Sequence, residues 1–129
     1  MPPTRKIIAV VEDDESVRNA LARQLSAAGY RYELFTNAEA FLSVAPICRA
    51  VCVLSDIHLG GMTGLELALH PLINELRLPV ILMSGSVDPM IEAQARELGT
   101  AFLRKPILSE KLLEAIVDTV GPPIVEGER

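Results

Sequence analysis

The chain has 129 residues, of which 50% are hydrophobic and 22% charged, with a formal net charge of −5. That length suits one domain, and the apolar share excludes a disordered chain, while no run approaches the roughly 18 apolar residues of a membrane helix. Nucleic acid is held mostly by Lys and Arg on phosphates, so an acidic chain with no basic run argues against direct nucleic-acid binding.

The start, Met1-Pro-Pro-Thr-Arg-Lys, is basic, but the apolar run behind it is too short for a signal peptide and ends in acids, so a cytoplasmic location is expected. That run, residues 6–11, is the first of five. The others are 30–35, 50–55, 79–83 and 101–104. Four are nearly continuous in Val, Ile, Leu, Ala or Cys, the pattern of strands buried on both faces. The run 30–35 alternates Arg31 and Glu33 with aromatics and reads as an edge strand.

Helical periodicity fills the gaps. Val17, Leu21 and Leu25 form the first stripe, and a weaker helix covers 38–44. Leu65, Leu69, Leu72 and Leu76 form the third, which Pro71 should kink or break near His70. Ile91, Ala95 and Leu98 form the fourth; Leu112, Ile116 and Val120 form the fifth, with a start near Ser109. Gly29 and Gly99 each follow a stripe, where a left-handed residue ends a helix. Two cysteines, Cys48 and Cys52, cannot make a closed zinc site; Cys52 reads as a small buried hydrophobe.

Strands alternating with helices imply right-handed crossovers and a parallel sheet. The expected fold is α/β, a doubly wound five-stranded parallel sheet of order 2-1-3-4-5, flavodoxin-like, with helices on both faces. Residues 1–120 form the expected domain and residues 121–129 a tail. Ligands of such sheets bind at the carboxyl ends of the strands, where the order reverses. Glu12, Asp13 and Asp14 follow the first strand, Asp56 the third, Ser84 the fourth and Lys105 the fifth. Two carboxylates about 4 Å apart repel by about 4 kcal/mol at an effective dielectric of 20, so the cluster calls for a cation. Mg2+ suits a site of one or two carboxylates, waters and phosphate oxygens, with Lys105 and Ser84 placed to hold a phosphoryl group.

Ile-Ile-Ala-Val-Val-Glu12-Asp13-Asp14, Leu-Ser-Asp56-Ile-His-Leu-Gly-Gly-Met-Thr-Gly64, Val-Ile-Leu-Met-Ser84-Gly and Phe102-Leu-Arg-Lys105-Pro106 occur in order at strand ends. Together they resemble the receiver domain of two-component response regulators, over roughly residues 6–120. The resemblance implies that Asp56 is the phosphoacceptor, taking a phosphoryl group from a sensor histidine kinase or phosphotransfer protein in phosphorelay signal transduction. It implies Mg2+ held by Glu12, Asp13, Asp56 and the main-chain carbonyl of His58. Ser84 and Lys105 would bind the phosphoryl group, Phe102 would be the switch aromatic, and the bond before Pro106 would be cis. It implies a protein that catalyses only its own phosphorylation and dephosphorylation, has a downstream protein target, and can dimerise once phosphorylated. Two other readings are the receiver portion of a DNA-binding transcriptional regulator and a degenerate receiver that only docks. A phosphohydrolase with an aspartate nucleophile wants a second Asp two residues on, where this chain has His58. Gly60-Gly61 stands where a proline is usual in the family, and a more mobile loop is expected there.

Overall fold

The computed structural model describes residues 4–86, 88–98 and 101–124. Five strands alternate with helices: β1 (Ile7–Val11), α1 (Glu15–Ala27), β2 (Arg31–Phe35), α2 (Ala38–Cys48), β3 (Cys52–Asp56), α3 (Gly64–Ala68), α4 (Pro71–Leu76), β4 (Val80–Ser84), α5 (Pro89–Leu98), β5 (Ala101–Arg104) and α6 (Ser109–Val120). All neighbouring strands are parallel and their order is β2-β1-β3-β4-β5, as the alternation of runs and stripes implies. β2, with its charged residues, lies at an edge. No helix among the described residues is long and apolar enough to cross a membrane.

Side chains alternate across the pleat, so each inner strand feeds two cores. Ala9, Val11, Val53, Val80 and Leu82 pack with Phe41 of α2, Leu67 of α3, Ile73 of α4 and Ala95 of α5. Ile8, Val10, Cys52, Leu54, Ile81 and Met83 face the other way, onto Leu21 and Leu25 of α1 and Leu112 and Ile116 of α6. Both faces of the sheet are thus covered, which explains why β1, β3 and β4 are apolar at nearly every position. Burial also pushes the Cys52 thiol up to about 12, so it is a packed hydrophobe.

Local chemistry sets the helix ends. Gly29, at φ 93°, follows α1 in the left-handed region. Gly99, the other expected cap, lies outside the described residues. α2 runs past the expected residue 44 and carries Pro46 within it, ending at Arg49 in the left-handed region. Proline reads as a stop in a sequence because it removes an N–H, yet one lost bond in the last turn does not end this helix. Pro71 splits the third stripe as expected. His70 caps the second piece, its Nδ1 accepting from the Leu72 N–H at 3.1 Å, and Pro71 occupies the first turn, where no N–H is required. α6 starts at Ser109, but Leu108 holds the cap position without a side-chain bond; the Ser109 hydroxyl accepts instead from Gln24 Nε2 at 2.9 Å.

The first residues of the expected tail are not free. Lys6 N–H donates to the Pro123 carbonyl at 2.7 Å, Tyr30 Oη donates to the Gly121 carbonyl at 2.8 Å, and the Lys6 ammonium bonds the Val120 carbonyl. Residues 125–129 lie outside the described residues.

Phe41 is fully buried and meets Phe35 edge-on at 5.2 Å between ring centres. Phe41→Ala should cost about 3–5 kcal/mol, read as a lower urea midpoint. A midpoint close to that of the parent would show that α2 does not anchor this core.

Candidate functional site

The parallel sheet brings the carboxyl ends of β1, β3, β4 and β5 to one rim. Asp56 and Ser84 are the last residues of their strands, each of which runs one position beyond the end expected from hydropathy. Asp56 pairs in register with Met83, and Ser84 with Arg104. Glu12 N–H donates to the Phe35 carbonyl at 3.0 Å, which continues the β1–β2 ladder and fixes the backbone at the start of the acidic run. The Arg18 guanidinium, from α1, donates to the Glu12 carbonyl at 2.9 Å.

Glu12, Asp13 and Asp56 converge: one carboxylate oxygen from each lies within 4.8 Å of the others. Glu12 is fully buried, Asp56 is 5% exposed, and Asp13 faces solvent. Lys105 Nζ stands between the two buried acids, 2.6 Å from Glu12 Oε1 and 3.3 Å from Asp56 Oδ2. The second Glu12 oxygen accepts from the Asp14 N–H at 3.2 Å. Burial raises the Glu12 pKa, opposed by the Lys105 hydrogen bond. Burial pulls the Lys105 pKa down, but the Glu12 hydrogen bond and the Asp56 charge together leave it raised. Lys105 N–H donates to the Ser84 carbonyl at 3.0 Å, tying the β5 end to β4, and the bond from Lys105 to Pro106 is cis.

The donors are all hard oxygens, and three carboxylates face one ammonium. Such a set fits a hard divalent cation better than a soft one. Asp56 is closely enclosed. A Cβ on Gly64 would fall 2.3 Å from its carbonyl oxygen, so only glycine lets α3 start against it.

The remaining expected residues sit differently. Ser84 is buried and its Oγ accepts from the Ser86 N–H at 2.9 Å. The His58 side chain is exposed, and its N–H donates to Asp56 Oδ1 at 3.4 Å. Phe102 is half-buried, with the guanidinium groups of Arg96 and Arg104 at 5.5 and 6.0 Å from its ring centre. The Asp14 carboxylate lies outside the cluster; it caps α1, accepting from the N–H groups of Ser16 and Val17. Glu39 is a contact that spacing did not reveal. It follows Asn37 in the first turn of α2 and accepts from the Met62 N–H at 3.1 Å.

The chain matches the profile of the response regulator receiver domain over residues 8–117. It is 32% identical over 118 residues to the transcriptional regulatory protein FixJ of Bradyrhizobium diazoefficiens, covering 91% of this chain and 58% of that protein. It is 32% identical to the transcriptional regulatory protein TdiR of Thauera aromatica, over 84% of this chain and 48% of that one. The chain thus spans about half the length of the curated relatives it matches. Among solved structures, full-length FixJ from B. japonicum superposes with a TM-score of 0.82 at 31% identity, over 91% of this chain and 58% of that chain. The signal receiver domain of a modulated diguanylate cyclase from Desulfovibrio desulfuricans gives 0.80 at 29% identity, over 88% and 92%. The chain belongs to the response regulator receiver domains of two-component systems.

The bonds from Val17 N–H, the Ser16 hydroxyl and Ser16 N–H hold the Asp14 carboxyl below its ordinary 3.8. A lowered folded value stabilises the fold above the ordinary value, and that contribution is lost as pH falls through the folded one. Asp14→Asn keeps a capping oxygen without a charge. The stability advantage of the parent over Asp14→Asn, from urea midpoints, should be present at about pH 5 and shrink to nothing in strong acid. A difference that does not vary with pH would contradict the cap.

Proposed function

We propose that this receiver domain accepts a phosphoryl group on Asp56 and uses it to switch a protein-interaction face. The observation that carries the reading is Lys105 Nζ shared between Glu12 and Asp56 beside a third carboxylate. Asp56 is an acceptor already paired with a cation, at the rim where Asp13 faces solvent. One Asp56 oxygen would attack phosphorus while the bond from phosphorus to the donor's imidazole nitrogen breaks and its electron pair returns to the ring. Such transfer is mostly positioning and charge neutralisation. Glu12, Asp13, Asp56 and the His58 carbonyl would hold Mg2+, which when bound neutralises charge on the phosphoryl oxygens.

Lys105 would keep its contact with Asp56 and pair with a phosphoryl oxygen. Ser84 would exchange its Ser86 N–H bond for one to the phosphoryl group, which draws the end of β4 inward. Phe102, packed at the margin of the core, would then turn into the space behind it. This is a population shift driven by a local charge, and the face of α5, β5 and α6 would report it. The chemistry stops at the protein's own phosphorylation and its reversal. The partners are a sensor histidine kinase or phosphotransfer protein and a downstream protein, with a phosphorylation-dependent homodimer as one output and a cytoplasmic setting.

The relatives favour a second reading at the level of the whole protein. FixJ and TdiR are transcriptional regulators, and the chain covers about half of each. On this reading the receiver serves a DNA-binding output, whether joined to it or in another chain. Both readings require Asp56 chemistry; a receiver that only docks does not.

Incubation with phosphoramidate and Mg2+ should add the mass of one phosphoryl group to the intact protein, and Asp56→Asn should remove the addition. Labelling that survives Asp56→Asn, or an unlabelled parent, would overturn the assignment.

A further inference from the structure

The segment that follows the phosphoacceptor is secured at both ends. Ile57 N–H donates to the Met83 carbonyl at 2.9 Å and its carbonyl accepts from Gly64 N–H at 3.0 Å. Thr63 and Glu66 close a capping box at the start of α3. Between these points lie Gly60 and Gly61, which have no side chains to pack; a Cβ on Gly60 would meet nothing within 4 Å. Among the described residues, one hydrogen bond ties residues 58–62 to another helix: Met62 N–H to Glu39 Oε2, at 3.1 Å.

Three features make this contact a built one. Asn37 Oδ1 accepts from the Ala40 N–H at 2.7 Å and so fixes the turn that presents Glu39. The carboxylate occupies the place of a missing side chain, since a Cβ on Gly61 would lie 2.7 Å from Glu39 Oε2. Gly61 also has φ 75°, a conformation that side chains other than glycine rarely adopt. The Met62 N–H in turn holds the Glu39 carboxyl below its usual range, so the acceptor stays charged. Where sequence alone suggests a slack glycine loop, the structure has a strap from α2.

We propose that Glu39 is a positioning residue for the phosphoacceptor site, fastening the loop that carries the His58 carbonyl and so setting how tightly the acidic cluster holds its divalent cation. The inference rests on the functional reading above. Groups that orient ligands from outside the ligand set commonly change metal affinity by about 10–100-fold when removed. Glu39 acts through a short loop and belongs at the low end of that range.

The full chain, labelled with 15N, serves for the test, with Glu39→Ala and Glu39→Gln beside the parent. Mg2+ affinity comes from calorimetric titration, and Met62 amide exchange from NMR without Mg2+. Glu39→Ala should weaken Mg2+ binding roughly tenfold and speed Met62 exchange several-fold, while the metal-free melting temperature barely moves. Glu39→Gln, whose amide oxygen still accepts, should fall between the two. Parent-like Mg2+ affinity in Glu39→Ala would overturn the proposal, as would unchanged Met62 exchange or a parent that binds no Mg2+. A parent that binds Mg2+ but takes no phosphoryl group ends the functional reading alone, and the affinity series still decides the role of Glu39.

Discussion

A single ammonium shared by two buried carboxylates is the interaction on which the functional rim depends. Glu12 is fully buried, which is costly for an ionised acid without a partner, and Lys105 Nζ at 2.6 Å supplies one. The same nitrogen reaches Asp56 at 3.3 Å. Asp13 adds a third carboxylate from the solvent side, so the rim carries more negative than positive charge. The imbalance fits the proposed reading, in which a further cation would neutralise the rim and make it tolerant of a phosphoryl group. On that reading, stability and signalling chemistry would draw on the same few atoms.

The fold supplies that arrangement by topology. Glu12 and Lys105 are far apart in sequence, and β3 and β4 lie between their strands in the sheet. They meet because all five strands run parallel, so every carboxyl end reaches the same rim. The apolar character of β1, β3 and β4 follows from burial on both faces and leaves polar chemistry only at the strand ends. Gly64 then lets α3 begin directly against the Asp56 backbone, at a distance no side chain would permit.

Much of this was legible in the residues. Continuous apolar runs gave the strands, the charged pattern of β2 gave the edge, and acids placed directly after strands gave Glu12, Asp13 and Asp56 as a group. Pro71 announced the break between α3 and α4. Other features depend on contacts between distant segments. Pro46 reads as a stop, yet α2 continues through it. Residues 121–124 turn back because Lys6 N–H and Tyr30 Oη bond the Pro123 and Gly121 carbonyls, and nothing local in those residues announces these partners. Glu39 is an exposed acid in a first helical turn, which describes many residues with no role; only the meeting of α2 with the glycine loop distinguishes it.

The claim that the rim seeks a cation is tested most directly by thermal melting with and without Mg2+. A ligand that binds only the folded chain raises the melting temperature with concentration. Millimolar Mg2+ should raise that of the parent, and the rise should shrink in Asp13→Asn, which removes a carboxylate from the solvent side of the cluster. An absent rise in the parent, or an equal rise in Asp13→Asn, would contradict the account.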